Sequence, residues 1–316
     1  MKNLLPIAIV AIGIALVAGP APAQQGSAPY TVVESGKGYV RLQDAIDAIG
    51  NGRGTIRFAS RSFAECGVQN GGDITFQAAV PGESVLDGVA CEGKAALVLR
   101  GRSARIDGMV FANIAVTDFN GAGIRLEKGD LVVSQSWFRD SQQGILSHDD
   151  LGSSIVIDKS TFSRLGTCEG PGGCAHSIYI GEYGSLTVTR SRFEAGRGGH
   201  YVKSRTPRVE IRNSSFDDSK GRATNYMIDL PNGAVGTIAD NWFVQGANKE
   251  NYSALIVLGA RNSGNPSDGL MVTGNNARYA PGAKRSAMFF ADWSDARVEL
   301  SGNSLDPQFE AYKRLK

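Results

Sequence analysis

The sequence predicts an all-β, single-domain solenoid, in which short strands and turns repeat along one axis. Three observations predict it: a strand pattern that recurs and ends in Phe, an alternation of apolar and polar residues inside each unit, and 40 Gly in 316 residues. Alternation with a period of two is typical of strands, and self-similar segments roughly 20 to 45 residues apart are typical of solenoids. Abundant Gly indicates many turns.

The repeated segment reads apolar, any, apolar, any, any, Ser or Asn, any, Phe. Its final Phe recurs at spacings of 27, 24, 31, 23 and 27 residues. A second short apolar strand precedes it in every unit, and turn-rich stretches of variable length lie between. Two or three short strands in each coil predict a parallel β-helix, whose successive coils lie about 4.8 Å apart. The clearest units are "ARIDGMVF" (104–111), "LVVSQSWF" (131–138), "IVIDKSTF" (155–162), "LTVTRSRF" (186–193), "VEIRNSSF" (209–216) and "GTIADNWF" (236–243).

Stacking of such coils predicts three further features. The Phe residues should stack on one another, and the Ser and Asn residues should form hydrogen-bonded ladders between coils. The segment "PQFEAYKRLK", 307–316, is expected to close the far end as a short helix, because an uncovered strand edge invites association with other chains.

The N-terminal residues predict export. A positively charged start is followed by the apolar stretch 4–19 and by small residues at 21–23, which together are typical of a secretory signal peptide over 1–23. A retained anchor helix is the alternative. The domain is then expected over 24–316, in the periplasm or secreted, as a monomer and without a further membrane span.

Four cysteines are an even number, which in an exported chain permits two disulfides. Cys168 and Cys174 bracket "EGPGG" and predict a small closed loop, which leaves Cys66 and Cys91 as the other pair. No C-x-x-C motif is present to favour a metal site. Lys plus Arg number 33 and Asp plus Glu 31, so the composition does not indicate a nucleic-acid partner.

Strand register predicts a cluster of ionisable side chains on one outer face. In each upstream strand the apolar residues must face inward, so the residues between them face outward. Residues at the same outward position in successive coils are expected about 5 Å apart. They form one column, which consists of Arg125, Leu146, Tyr179, Lys203, Asp229 and Val257.

A neighbouring column adds further polar residues to this face. It places Glu127, His148 and Arg205 beside the first column, and Asp149 and Asn232 just beyond the strand ends. Outward positions are usually polar because water covers them, so a surface ion pair worth under about 1 kcal/mol is the alternative. The mixture of ionisable residue types favours a catalytic or binding site.

His176 and His200 precede their strands at matching positions. The alternation points both side chains inward or into a corner, where a structural role in capping turns is favoured over ligand binding. A zinc site would require a third ligand, and the sequence offers no obvious one nearby. His200 is nevertheless retained as a candidate substrate-binding residue, because it lies close to Lys203 in the sequence.

The repeats and the entry segment "YVRLQDAIDAI", 39–49, resemble the right-handed parallel β-helix superfamily, which includes pectate lyases and related polysaccharide enzymes. The resemblance extends from about Gly36 to Pro307. It implies a right-handed coil and a short N-terminal amphipathic helix that covers the first coil. Within it, "VKS" at 202–204 resembles the Lys-Ser strand of alginate and chondroitin lyases, which implies that Lys203 is a catalytic base. The acidic calcium ligands of those enzymes are not matched, so no cofactor or metal is expected, with calcium the open alternative.

A row of charged side chains along a β-helix suits a linear, acidic polysaccharide. We therefore predict a polysaccharide lyase that acts on uronic acids by β-elimination, with Lys203, Arg205, Tyr179 and His148 as catalytic residues. In this scheme Arg205 neutralises the carboxylate, Lys203 or Tyr179 is the base, and His148 or Tyr179 is the acid. The predicted substrate-binding residues are Arg125, Glu127, Asp149, His200, Asp229 and Asn232. A hydrolase using two carboxylates, a uronan epimerase and a non-catalytic polysaccharide-binding protein are the alternatives.

Overall fold

The computed structural model describes residues 28–261 and 264–315. The predicted signal peptide, 1–23, lies outside the described residues, as do residues 24–27. Within the described part of the chain, no helix has the length and apolar character needed to cross a membrane.

The described residues form an all-β parallel β-helix with one α-helix, which confirms the predicted fold class. The elements in chain order are β1 (Tyr30–Val32), β2 (Lys37–Tyr39), α1 (Leu42–Ile49), β3 (Arg53–Phe58), β4 (Ser62–Phe63), β5 (Gly67–Gln69), β6 (Asp73–Ala78), β7 (Ser84–Asp87), β8 (Ala95–Leu99), β9 (Ser103–Asp107), β10 (Met109–Ala112), β11 (Ala122–Leu126), β12 (Asp130–Ser134), β13 (Trp137–Arg139), β14 (Gln143–Ser147), β15 (Asp150–Asp158), β16 (Thr161–Ser163), β17 (Ile178–Ile180), β18 (Tyr183–Thr189), β19 (Arg192–Glu194), β20 (Val202–Ser204), β21 (Arg208–Arg212), β22 (Ser215–Asp217), β23 (Ile228–Leu230), β24 (Val235–Ala239), β25 (Trp242–Gln245), β26 (Ala254–Leu258), β27 (Met271–Thr273), β28 (Asn276–Tyr279), β29 (Ala287–Asp292), β30 (Glu299–Ser301), β31 (Ser304–Leu305) and β32 (Phe309–Arg314).

Three sheets run along the solenoid axis, and each coil contributes one strand to each sheet. From β3 onward every third strand belongs to the first sheet, which ends at β30 and also carries β1 and β2 on its N-terminal edge. The second sheet runs from β4 to β31 and the third from β5 to β32, again by every third strand. Strands within the second and third sheets pair in parallel, because each is reached only after a full coil.

The core confirms the two predicted ladders. Six Phe rings of the second sheet stack, with neighbouring centroids 4.7 to 5.0 Å apart, from Phe111 to Phe243. In the turns between the first and second sheets, the backbone N–H of Ser136 donates to the Ser160 hydroxyl at 3.2 Å, and this contact repeats from coil to coil. The ladder continues through Asn241 and Asn275, whose side-chain oxygens accept backbone N–H groups of the preceding coil. Buried backbone donors are thereby satisfied where no strand pairs with them.

Helix α1 covers the N-terminal end of the core, as the resemblance implied. Leu42 and Ile46 are buried beneath it. Gln43 pairs with the open edge of β5: its side-chain Oε1 accepts the Val68 N–H at 2.9 Å, and its Nε2 donates to the Val68 carbonyl at 3.0 Å. The side-chain amide thus replaces a missing strand partner.

The C-terminal prediction of a helix was wrong. Residues 309–314 form β32, which pairs in parallel with β29. A strand satisfies the backbone groups along the edge of β29, whereas a helix would leave them without partners. Phe309 stacks on Tyr279 with ring centroids 4.2 Å apart, which anchors the strand. The new outer edge carries Lys313 and Arg314, and charged residues there disfavour pairing with another chain.

Both predicted disulfides are present. Cys66 is bonded to Cys91, and Cys168 is bonded to Cys174. The first joins two coils near the N-terminal end, and the second closes the loop that carries "EGPGG" between β16 and β17. The second disulfide therefore belongs to the longest insertion on the side of the third sheet where the predicted site lies.

Candidate active site

The predicted column lies on the third sheet with the register that the sequence indicated. Tyr179 of β17 is the Cα partner of Lys203 of β20, and Lys203 is the partner of Asp229 of β23. Leu146 precedes Tyr179 in the same column, and Val257 follows Asp229. These side chains face outward because the alternating residues, including Ile178 and Val202 of the same strands, are buried in the core.

The column is much less accessible to water than its outward direction suggested. The Lys203 side chain is 12% exposed and that of Asp229 only 7%. The reason is the surrounding structure, which rises above the sheet and encloses a cavity of about 580 Å³. Lys203 lies at the floor of this cavity, so the expectation that it simply faces water needs correction.

The cavity walls come from several coils. The disulfide-closed loop, through Gly172, Gly173 and Cys174, forms one wall, and residues from the coils after β22 and β26 form another. The lining side chains that carry hydrogen-bonding or charged groups are Asn120, Gln143, His176, Tyr179, His200, Lys203, Arg205, Asn225, Glu250 and Arg261. Three of these are cationic and one is a carboxylate, so the cavity is suited to an anionic ligand.

Arg205 is held rigidly at the edge of this cavity. Its Nε donates to the Tyr179 hydroxyl at 2.9 Å, and a terminal nitrogen donates to Asn232 Oδ1 at 2.7 Å. Asn232 in turn donates to Glu182 at 3.2 Å, so a chain of side chains fixes the guanidinium. Because the Tyr179 oxygen accepts from Arg205, the tyrosine retains its own proton for donation to another group.

Lys203 has a lowered pKa, which resolves the opposing effects that the sequence presented. Burial is the main cause, and the cations Arg261 and Arg205 lower the pKa further, whereas Asp229 raises it. The Lys203 ammonium lies 5.1 Å from the centre of the Tyr179 ring and 4.0 Å from the Asp229 carboxylate. A lysine with a lowered pKa has more of the neutral amine that can accept a proton.

Asp229 lies beneath the lysine and next to a histidine. Burial raises the pKa of Asp229 to about 6, although Lys203 and Arg205 oppose this change. Its Oδ2 is 3.4 Å from Nε2 of His200. Asp229 is therefore a buried partner of the cavity residues, without direct access to a large ligand.

His176 and His200 lie in the cavity wall, although the sequence favoured a structural corner position. Their rings stack with centroids 4.9 Å apart, and the stack continues to Tyr226 at 5.3 Å. Both imidazoles have pKa values far below the usual range for histidine, chiefly because they are buried. Both features that the sequence weighed are present: the rings stack across coils, and they also face the candidate site.

Four other predicted site residues lie outside the set that lines the cavity. Arg125 and Lys94 both bind Glu127 Oε1 at 3.1 Å, so these charges are paired with one another. His148 is exposed, and its Nδ1 accepts the backbone N–H of Asp149 at 2.7 Å. The Asp149 carboxylate accepts the backbone N–H of Glu182, which ties two coils together. The roles predicted for these residues stay predictions.

Arg261 and Glu250 were not predicted from the sequence, and neither was Asn120. Arg261 follows β26 and lines the cavity from a coil in which the outward column has already become apolar at Val257. Its only sequence signal was a lone cation at a strand end. Glu250 and Asn120 lie in turns of irregular length, where strand register gives no information about direction.

No group of three or more His, Cys, Asp or Glu side chains within residues 28–261 and 264–315 is arranged to hold a metal ion. The residues that surround Lys203 therefore do not fit the calcium site that the lyase resemblance left open. We derive no catalytic step that involves calcium.

Known structures share this architecture. An alginate lyase from Paenibacillus sp. str. FPU-7 is similar with a TM-score of 0.56 at 18% identity, over 86% of this chain and 94% of that one. The surface protein and adhesin PfbA of Streptococcus pneumoniae is similar with a TM-score of 0.45 at 11% identity, over 87% of this chain and 95% of that one. No curated protein sequence matches the chain. At such identities the similarity to the lyase demonstrates a shared fold.

The sequence itself matches a family directly. The family described as "Right handed beta helix region" matches residues 95–306, which include every coil that lines the cavity except the last strand. The handedness that the resemblance implied is that of this family. The chain belongs to the right-handed β-helix family.

Proposed function

We propose that the protein is an exported polysaccharide lyase that cleaves an acidic, uronic-acid-containing polysaccharide by β-elimination. The observation that carries the proposal is Lys203, a largely buried lysine with a lowered pKa at the floor of a cationic cavity. A base of this kind beside an arginine and a tyrosine provides the functional groups that the reaction requires.

The charge of the cavity supports an anionic substrate. Lys203, Arg205 and Arg261 line it together with a single carboxylate, Glu250. The whole chain has a formal net charge of only +2, so the excess of cations is local. Local clustering of one sign of charge in a concave site concentrates ligands of the opposite sign.

The residues can be assigned to steps that balance. Arg205 binds the uronate carboxylate with its guanidinium and makes the C5 proton more acidic. The neutral amine of Lys203 takes that proton, and the electron pair of the broken C–H bond forms the C4=C5 double bond. The C4–O bond breaks at the same time, and Tyr179 gives its hydroxyl proton to the departing oxygen. Arg205, which donates to the Tyr179 oxygen, stabilises the resulting phenolate.

Asp229 and His200 support the base from below. The Asp229 carboxylate is within 4.0 Å of Lys203 Nζ and within 3.4 Å of His200 Nε2. It stabilises the lysine ammonium that forms when the substrate proton is transferred. This assignment replaces the earlier expectation that Asp229 contacts the substrate.

The fold and the covalent structure are consistent with the proposal. The similar alginate lyase from Paenibacillus sp. acts on a polyuronate, so alginate is the first polymer to test. Two disulfides suit an oxidising compartment, which agrees with the predicted signal peptide and with a periplasmic or secreted location. We propose that the protein functions there as a monomer.

The decisive experiment incubates the mature protein with alginate, polygalacturonate, chondroitin and hyaluronan. Elimination forms an unsaturated uronate, which is followed by its ultraviolet absorbance, while reducing ends are measured in parallel. Both signals are expected to rise together for at least one polymer. Reducing ends without absorbance would establish a hydrolase, and deuterium incorporation from heavy water without scission would establish an epimerase. Binding without any of these changes would establish a non-catalytic binding protein, and each of these three results would overturn the proposal.

A further inference from the structure

We propose that His176 binds the uronate through a hydrogen bond from its Nε2–H and acts as an uncharged donor in the cavity. This inference rests on the proposed function, because it assigns a substrate-binding residue of the same site. Five observations carry it: the tautomer of the ring, its fixed orientation, the direction of its free nitrogen, its lack of charge and its distance from the base.

The tautomer follows from one hydrogen bond. The backbone N–H of His200 donates to His176 Nδ1 at 3.0 Å. A ring nitrogen that accepts a hydrogen bond carries no proton, and a neutral imidazole carries its single proton on the other nitrogen. His176 is therefore the Nε2–H tautomer.

The ring orientation is fixed by its neighbours. The His176 ring stacks on His200 and meets the Tyr179 ring edge-on at a centroid distance of 5.4 Å. Gly199 makes the close approach possible: with a φ of +61°, it has no Cβ, and a Cβ there would lie 2.5 Å from His176 Nδ1. A larger residue at 199 would push the imidazole out of place.

The free nitrogen of this ring is directed into the cavity. His176 is one of the lining residues, and among the described residues none accepts a hydrogen bond from its Nε2. Its Nε2 is also absent from the atoms that are both fully enclosed and unpartnered, a group that includes Nδ1 of His200. The donor is consequently open to a molecule that enters the cavity.

The surroundings keep the imidazole neutral. Burial and the nearby Lys203 lower the pKa of His176 to about 3. Among the charged residues of this region, Arg205 and Arg261 reinforce that effect by their sign, while Asp229 faces His200 on the next coil. His176 thus donates a hydrogen bond over the whole range in which Lys203 can act as a base.

An uncharged donor has a specific advantage beside a lysine base. A third cation close to Lys203 would lower its pKa further and weaken it as a base, whereas a neutral N–H stabilises negative charge on the substrate without that effect. Neutral imidazole can serve as an electrophile in this way when its environment prevents protonation. The carboxylate or the glycosidic oxygen of a uronate is the group it would contact.

The tautomer can be tested without measuring activity. The chain has three histidines, so nitrogen-15 NMR of histidine-labelled full-length mature protein resolves each ring, with assignments from His148→Gln and His176→Gln. We expect His176 to show the Nε2–H pattern and no titration between about pH 5 and pH 8, where an unperturbed histidine titrates. An Nδ1–H pattern, or titration in that range, would overturn the inference.

Binding is tested in the Lys203→Met variant, which is expected not to consume the ligand. Saturated oligomannuronate and oligogalacturonate are added while the His176 signal is followed, and a shift of its Nε2 resonance is expected with at least one of them. An unmoved signal at saturation with both would overturn the donor role. If the wild type cleaves no polymer but the signal shifts, the lyase proposal fails and the binding residue stands.

Two substitutions separate hydrogen bonding from packing. His176→Gln keeps an N–H near the Nε2 position, whereas His176→Phe keeps the stacked ring and removes the donor. Loss of one such donor costs about 10²-fold in turnover, so we expect Phe to lose that much and Gln to keep most activity. The opposite order, with Phe the more active variant, would show that the ring acts by packing alone.

A positional variant completes the test. Gly199→Ala changes no functional group, but its Cβ would collide with the imidazole, so it should disturb the His176 signal and reduce oligosaccharide binding. Gly282→Ala is the matched control, because Gly282 has a φ of +87° and open space around it. Equal effects of the two substitutions would overturn the claim that the orientation of His176 matters.

Discussion

Lys203 and Asp229, Cα partners on adjacent coils, bring Nζ and Oδ2 to 4.0 Å from each other beneath a cavity that excludes most water. Their pKa values are shifted toward one another: burial lowers that of the lysine and raises that of the aspartate to about 6. The pair is loosely coupled, because burial disfavours both charges while their mutual attraction favours them. This relationship places a potential base at a position where its protonation can change.

Replacement of the lysine should remove activity and retain the fold. Lys203→Met keeps the volume of the side chain and removes the amine, so turnover should fall by at least about 10²- to 10⁴-fold, the usual contribution of a general base. Circular dichroism and thermal unfolding should remain close to wild type. Lys220→Met, which removes an exposed lysine, is the control, and equal losses in the two variants would argue against a catalytic role.

Removal of the aspartate charge should shift the pH dependence of the rate. Asp229 raises the pKa of Lys203, so Asp229→Asn should lower that pKa further. The acid limb of kcat/KM against pH should therefore move to lower pH, since the neutral amine persists there. Glu83→Gln removes an exposed carboxylate elsewhere and should leave the profile unchanged. A shift of the limb to higher pH would contradict the arrangement.

The same aspartate should make stability depend on pH. The pKa of Asp229 is 3.8 in its unperturbed state and about 6 in the folded protein, so between these values the folded state holds the proton more strongly. Its contribution is fully present below about pH 4 and is lost as pH rises through about 6, by up to about 3 kcal/mol at 1.36 kcal/mol per pKa unit. Urea unfolding of wild type and Asp229→Asn from about pH 4 to 7 measures the difference. Parallel curves for the two proteins would refute it.

Arg205 should contribute through the shape of its guanidinium. Arg205→Lys keeps the charge but loses the paired donors and the anchors to Tyr179 and Asn232. A hydrogen bond to a charged group contributes about 1.5–3 kcal/mol, so kcat/KM should fall by roughly tenfold or more. Arg208→Lys, at an exposed position of β21, should behave as wild type. Full activity of Arg205→Lys would mean that only its charge matters.

The two disulfides should differ in what they stabilise. Their sequence separations are 25 for Cys66–Cys91 and 6 for Cys168–Cys174. The chain-entropy relation gives about 3.5 kcal/mol for the longer loop and about 2 for the shorter one. The Cys66→Ser/Cys91→Ser variant should therefore lose more stability in urea. Cys168→Ser/Cys174→Ser should mainly weaken oligosaccharide binding, because its loop forms a cavity wall; unchanged affinity would contradict that assignment.

A second buried ion pair should be structural. The Lys249 side chain is fully enclosed, and its Nζ donates to Asp218 at 3.0 Å and to Thr224 at 3.2 Å. Lys249→Met leaves the Asp218 charge buried without its cation, which typically costs about 3–5 kcal/mol. Thermal unfolding measures the loss, with Lys220→Met as the control. The Lys249→Met/Asp218→Leu double variant should recover part of it, and no recovery would indicate that packing dominates.

The sequence by itself determined the solenoid and its register. Apolar residues that alternate on each strand must face the core, so the outward column through Tyr179, Lys203 and Asp229 followed from local pattern alone. The Phe stack and the Ser and Asn ladder followed in the same way, because identical positions in successive coils lie side by side. The C-terminal segment was the exception, since the unpaired edge of β29 outweighed its local pattern.

Only the tertiary structure decided what surrounds that column. Loops of irregular length, far apart in the chain, bring Gly173, Glu250 and Arg261 over the strands and bury a lysine that the pattern placed in water. Register carries no information about the direction of such turns, and burial depends on atoms contributed by other coils. The Nε2–H tautomer of His176 has the same origin, because a backbone N–H from the neighbouring coil selects it.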